Sequence, residues 1–231
     1  MKKLGVVIFG VALVAGLVLS NFFSFGKAKD GLFSFSFFGG THGSGNVVTE
    51  KRNVSGFKAI DVGGVFKVDV IAQKDFAVEV EADDNLLPLI KTEVSDGVLR
   101  IEADKRLSSK NIRIRVSAPD LEKIEASGVS SVSLAAVKNS SLAVDCSGAS
   151  KISVEGETAK LNVDASGASH VDAQNLKATD VVASAGGASH VNVNVFGNLN
   201  ADSTGASTIN YSGTPTSVHK SASGASGIHA N

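Results

Sequence analysis

The chain has 231 residues, of which 43% are hydrophobic, with 24 glycines and one cysteine, so it can bury a core but cannot form an internal disulfide. Its formal net charge is −1, but four of the 22 basic residues precede Asp30 and all 23 acidic residues lie at Asp30 or later. From Asp30 onward, 18 basic and 23 acidic side chains remain, a net charge of −5. A nucleic acid partner is therefore not expected, because binding to phosphates needs a basic surface.

The first 25 residues differ from the rest of the chain. The letters "MKK" precede an uncharged apolar run, "LGVVIFGVALVAGLVLS", which is typical of an export signal. The apolar character continues to Phe25, so the segment is about long enough to span a bilayer. Residues 1–25 are therefore predicted to be either a cleaved signal peptide or an N-terminal membrane anchor. The protein is expected in the periplasm or at the cell surface.

Two further regions precede the repeats. Residues 26–46 are rich in Gly, Phe and Ser and are predicted to be a tether. Within the remaining domain, 47–231, the part 47–125 is charged, and runs such as "FKVDVIA" and "VLRIEA" alternate apolar with polar residues. This period of two predicts half-buried strands with charged side chains facing water. Only the stretch "DDNLLPLIKTEV" could hold a helical turn, which Pro88 limits.

One tetrad recurs in the part 126–231. It reads "SGAS" from Ser147, Ser166 and Ser223, and variants of it occur between and before these copies. Each copy has a glycine at its second position, and successive glycines are 18 to 20 residues apart. These glycines are Gly128, Gly148, Gly167, Gly187, Gly205 and Gly224. Self-similarity at this period is typical of a solenoid, and the glycines are predicted to be its structural corners.

Aligning the repeats on these glycines produces apolar columns. Two residues before each glycine stands a small side chain: Ala126, Cys146, Ala165, Ala185, Ser203 and Ala222. Four residues after it stands a β-branched one: Val132, Ile152, Val171, Val191, Ile209 and Ile228. The predicted fold is all-β, a single-stranded right-handed parallel β-helix with a strand-rich N-terminal part. Its coils would stack about 4.8 Å apart.

The tetrad serines suggest either a nucleophile or a scaffold. A nucleophilic serine needs a base within hydrogen-bond distance and a third group that orients the base. His170 and His190 directly follow two tetrads, but near-identical copies of one residue favour a structural role at the corners. Cys146 lies in the small column and is predicted to be a core side chain rather than a reactive thiol.

Two polar columns are candidates for a metal site. His170 and His190 occupy equivalent positions of successive repeats, beside Lys151, and no third ligand is evident, so they are predicted to face solvent. Glu125, Asp145 and Asp164 form an acidic column. Calcium prefers such oxygen ligands. The alternative to a solvated ladder is therefore a Ca²⁺ site made by these three carboxylates.

The chain resembles a known bacterial family in "FKAIDVGGVFKVDVIAQ", in "VEVEADDNLLPLIKTEVSDGVLRI" and in the serial "SGAS" coils. This family is the putative auto-transporter adhesins with a head GIN domain, and the resemblance spans residues 47–231. It implies a β-helix of the pectin-lyase type without that type's catalytic residues. It also implies adhesion, no catalytic residue and no cofactor.

The functional prediction is an exported, non-enzymatic binding or structural module of the bacterial cell envelope. Its partner is expected to be an envelope or surface ligand, either a glycan or a protein, with a membrane contact if the N-terminal segment stays uncleaved. The alternative is a cation-dependent carbohydrate-binding or lyase-like β-helix protein. An uncovered final coil also predicts end-to-end assembly into a homo-oligomer.

Overall fold

The computed structural model describes residues 40–109 and 111–231. The predicted signal or anchor, 1–25, and most of the predicted tether, 26–46, lie outside the described residues. Among those that are described, there is no helix with the length and hydropathy needed to cross a membrane.

The described residues are almost entirely strands. The one helical element among them is a 3₁₀ helix at Leu87–Leu89, inside the stretch predicted to hold a helical turn. The strands before the tetrads are β1 (Thr41–His42), β2 (Val47–Arg52), β3 (Ala59–Gly64), β4 (Lys67–Ala72), β5 (Ala77–Asp83), β6 (Ile90–Ser95), β7 (Val98–Ala103), β8 (Leu107–Ser108) and β9 (Arg113–Ala118). The strands of the tetrad region are β10 (Lys123–Gly128), β11 (Ser131–Cys146), β12 (Lys151–Ala165), β13 (His170–Ala185), β14 (His190–Val195), β15 (Asn198–Gly205), β16 (Thr208–Gly213), β17 (Ser217–Gly224) and β18 (Gly227–Ala230).

These strands build two parallel ladders that meet at the tetrads. One ladder has the order β3-β10-β11-β12-β13-β15-β17 and contains the residues before each tetrad. The other has the order β4-β11-β12-β13-β14-β16-β18 and contains the residues after it. Strands β11, β12 and β13 belong to both, so each forms nearly a whole coil. The prediction of a parallel β-helix with one coil per repeat is confirmed.

The core lies between the ladders, and the predicted columns are in register there. Val132 pairs with Ile152, which pairs with Val171, and the column continues to Ile228. Its first five members are at most 1% exposed. Each such side chain contributes roughly 1.5–3 kcal/mol by leaving water. The period of the sequence thus determines which side chains stack.

The solenoid begins before the tetrads. Gly64 of β3 pairs with Gly128, and Val68 of β4 pairs with Val132, so β3 and β4 form an earlier coil. In that coil Phe66 takes the place of the last tetrad serine.

Mixed strands cover the N-terminal end of both ladders. Strand β9 pairs in parallel with β4 and is followed by β5 and β2, each antiparallel to its neighbour. Strand β7 pairs in parallel with β3, and β6 is antiparallel to β7. The two outermost strands read "VVTEKR" and "IKTEVS". Charged side chains on an outer strand oppose pairing with another sheet. This end of the solenoid is therefore capped.

Candidate functional site: the tetrad corner and its flanking columns

The corner glycines are required by both backbone conformation and space. All six predicted corner glycines have φ between 72° and 83°, a left-handed conformation that other residues adopt at a cost. A Cβ atom at any of them would lie 2.5 to 2.8 Å from the carbonyl oxygen of the corner glycine one coil earlier. Glycine thus permits the turn and also lets successive corners stack in contact.

The last serine of each tetrad is used by the scaffold. The Ser150 hydroxyl donates a hydrogen bond to the Ala126 carbonyl of the preceding coil at 3.1 Å, and the Ser169 hydroxyl donates to Cys146 at 3.0 Å. The same bond recurs in the next three coils: Ser189 to Ala165, Ser207 to Ala185 and Ser226 to Ser203. Each of these hydroxyls donates to a backbone carbonyl, which is the bond between coils that the structural interpretation of these serines predicts.

Cys146 is a core residue, as predicted. It is 2% exposed, and its Sγ lies 3.6 Å from Ser150 Oγ and 3.9 Å from the His170 carbonyl oxygen. Burial raises the pKa of the thiol, which disfavours the reactive thiolate.

The three carboxylates of the predicted calcium site lie on successive coils. Glu125 pairs with Asp145, which pairs with Asp164. The structure adds Asp61, which pairs with Glu125 in the earlier coil. Together with three tetrad hydroxyls, they line a groove of about 260 Å³.

An ammonium group already bridges part of this acidic column. Lys123 Nζ lies 3.0 Å from Glu125 Oε1 and 2.9 Å from Asp145 Oδ2. Hydrogen bonds to Asp145 and then Glu125 raise the pKa of Lys123. Within the described residues, no group of three or more His, Cys, Asp or Glu side chains has a metal-binding arrangement. The Ca²⁺ site at Glu125, Asp145 and Asp164 stays a prediction.

The two histidines stack instead of converging. The rings of His170 and His190 are 5.2 Å apart and nearly parallel, at 2°. His190 Nε2 is 3.1 Å from the Asn210 amide nitrogen. Zinc needs nitrogen ligands at about 2.0–2.1 Å, which parallel rings at this separation do not offer to one ion. Burial, then Lys151 and His190, lower the pKa of His170, while Asp172 opposes them.

Sequence reasoning missed the earlier coil and therefore Asp61. The signal was present, since "AIDVGGVFKVDV" aligns with "KIEASGVSSVSL" without a gap. Lys123, two residues before Glu125 in the strand, was missed because the acidic column was read along one position of the repeat only.

The chain with these repeated corners and stacked coils also matches a known protein family. The family model described as putative auto-transporter adhesin, head GIN domain matches residues 56–215. The chain belongs to this family. The resemblance carried by "FKAIDVGGVFKVDVIAQ" and the tetrads is thereby confirmed.

Solved structures share the fold of this head GIN chain. A putative adhesin from Bacteroides fragilis NCTC 9343 is 23% identical with a TM-score of 0.71, covering 83% of this chain and 100% of that chain. A putative adhesin from Parabacteroides merdae ATCC 43184 is 19% identical with a TM-score of 0.51, covering 83% and 99%. None of the curated proteins matches the chain.

Proposed function

We propose that this head GIN protein is an exported, non-catalytic binding module of the bacterial cell envelope. The observation that carries the proposal is the arrangement of the outward side chains. Because the coils are in register, each outward position becomes a column of side chains along the solenoid, such as the one from Lys151 through His170 to His190. A surface with regularly spaced groups suits an extended ligand.

The hydrogen bonds at the corners support the non-catalytic part of this proposal. The last tetrad serines donate to carbonyls of the preceding coil, so none of them is paired with a base. The membership in an adhesin family and the apolar N-terminal sequence support export and adhesion.

The experiment has two parts, both with the full chain. Protease treatment of intact cells should degrade the protein while a cytoplasmic control protein stays intact. Purified protein should also bind intact cells or surfaces coated with cell-envelope material in a saturable manner. Complete protection from protease in cells whose outer surface is accessible would contradict a surface location, and binding no stronger than that of an unrelated β-solenoid would contradict the binding role.

A second candidate is the cation-dependent carbohydrate-binding or lyase-like protein. The acidic groove of about 260 Å³ favours it, since it places carboxylates beside tetrad hydroxyls. Calcium would have to displace Lys123 from Glu125 and Asp145, so binding should raise the thermal stability of the chain only where Ca²⁺ outcompetes that ammonium group.

A further inference from the structure

A second groove lies on the far side of the coils from the tetrads. One of its walls is a column of long charged side chains, in which Lys138 pairs with Glu157 and Glu157 pairs with Lys177. All three are exposed. Their spacing follows the spacing of the coils, so the two ammonium groups belong to coils about 10 Å apart, with Glu157 between them.

The neighbouring outward column holds small side chains and ends at the phenyl ring of Phe196. Two residues after the charged positions come Ala159 and Thr179, both exposed, and the next coil places Phe196 there. The backbone fixes this placement, since the Phe196 N–H donates to the Ala178 carbonyl at 3.0 Å and the Gly197 N–H to that of Thr179 at 2.7 Å. The small residues leave a channel, and Phe196, which is 42% exposed, closes one end of it.

The floor of this groove is rigid and polar. Thr158 is 6% exposed, and its hydroxyl donates to Asn139 Oδ1 at 2.7 Å. The Asn139 amide in turn donates to the Leu121 carbonyl at 2.6 Å. The groove is open to solvent and has a volume of about 500 Å³. Bonded polar groups of this kind hold a site in one shape before a ligand arrives.

The charged wall is not neutralised by its own members. No ion pair within 4.0 Å involves Lys138, Glu157 or Lys177 in the described part of the chain. The contrast is with Lys123, which contacts the carboxylates of Glu125 and Asp145. Two ammonium groups and one carboxylate therefore face the groove, with a local charge of about +1 on a surface that is otherwise acidic.

We propose that this groove binds a carboxylate-bearing sugar within a glycan chain, an inference that rests on the proposed binding function and names its ligand class. The face of the Phe196 ring suits the C–H face of a pyranose. The Thr179 hydroxyl and the Glu157 carboxylate can hydrogen-bond sugar hydroxyls. Lys138 and Lys177 can each bind a carboxylate of a uronic acid chain that runs along the solenoid axis. A single-stranded nucleic acid fits less well, because the chain from Asp30 onward is acidic and one ring offers no stacking platform for successive bases.

The test is calorimetric titration of the full chain with two uronic acid hexamers, hexagalacturonate and hexaguluronate, with neutral maltohexaose and a single-stranded oligonucleotide as comparison probes. We expect saturable binding of at least one uronic acid hexamer. Phe196→Ala should weaken it about tenfold, as for the loss of an aromatic contact, and Lys177→Gln about threefold, as for an exposed charge. The matched controls are Val182→Ala, which has the same exposure of 42% on another face, and Lys105→Gln, at an exposed lysine between β7 and β8; both should bind like the wild type.

Four results would overturn the inference. They are no binding of either uronic acid hexamer, equal binding of maltohexaose, tighter binding of the oligonucleotide, and uronic acid binding that Phe196→Ala and Lys177→Gln leave unchanged. None of these contradicts the proposed binding module if the purified chain still binds cell-envelope material. Loss of that binding in the wild type would instead contradict the module itself.

Discussion

Replacing Gly167 by alanine should destabilise the solenoid far more than an ordinary glycine replacement. Gly167 has φ +75°, and a Cβ there would lie 2.6 Å from the Gly148 carbonyl oxygen. The left-handed conformation costs alanine about 1–2 kcal/mol. To relieve this overlap, the two coils have to move apart. They are joined by the 2.8 Å hydrogen bond from the Ala168 N–H to the Gly148 carbonyl, and losing such a bond costs about 0.5–1.5 kcal/mol. With the residual strain, we expect about 3 kcal/mol.

Two other glycines separate these contributions. Gly97 has φ +76° but no atom within 4 Å of a built Cβ, so Gly97→Ala should cost only the conformational part, about 1–2 kcal/mol. Gly186 has no positive φ, and its Cβ would meet Thr204 Oγ1 at 3.5 Å, an ordinary contact. Gly186→Ala should therefore be neutral within about 0.5 kcal/mol.

The assay is urea unfolding of the full chain and the three variants, followed by far-ultraviolet circular dichroism. The expected order of stability is wild type and Gly186→Ala, then Gly97→Ala, then Gly167→Ala. If Gly167→Ala were no less stable than Gly97→Ala, the close stacking of corner glycines would be refuted, because the two share their φ and differ only in the contact.

Three further predictions concern charge and assembly. The folded state lowers the pKa of His170 from its usual 6.5 and so favours the neutral ring. The neutral ring therefore contributes to the stability of the fold above pH 6.5, and this contribution is lost as the pH falls through the folded pKa. Between about pH 7.5 and pH 5, the free energy of unfolding should fall less for His170→Asn than for the wild type, and an equal fall would contradict this. If Glu125, Asp145 and Asp164 bind Ca²⁺, calcium should raise the melting temperature of the wild type and not that of the triple Asn variant; an unchanged wild type would remove the hypothesis. Strand β17 is exposed along its length and pairs on one side only among the described strands, so end-to-end assembly predicts a mass in light scattering that rises with concentration, and a constant monomer mass would argue against it.

The parts of the fold that could be predicted are those that recur at a constant distance from the corner glycines. The tetrad glycine fixes the position of each column near it, so residues such as Val171 and Cys146 could be assigned to the core without a structure. The constant distance from the preceding corner glycine is lost in the middle of each coil, where the strand pairing shifts between Leu134 and Val137 and between Ser153 and Glu155. A count forward from the preceding corner glycine cannot follow such shifts.

Part of the groove beside Phe196 was available from the sequence, since Lys138, Glu157 and Lys177 each lie ten residues before the next corner glycine. The place of Phe196 was not, because Phe196 lies nine residues before Gly205 while Thr179, beside it in the sheet, lies eight before Gly187. The coil of β3 and β4 was hidden differently. It is separated from β10 by the segment 73–122, which contains β5 to β9, and its Phe66 replaces the serine that marks the other corners. A long insertion removes periodicity while leaving the contacts intact.

Adhesion of live cells tests the account most directly. A strain lacking the chain would be complemented with the wild type or with Ser169→Ala, whose buried hydroxyl bonds to the Cys146 carbonyl and whose loss costs about 1 kcal/mol without unfolding the protein. If the tetrads are scaffold and the protein is an adhesin, adhesion should be lost in the deletion strain and restored by both chains. Unchanged adhesion of the deletion strain, or failure of a folded Ser169→Ala chain to restore it, would contradict the account.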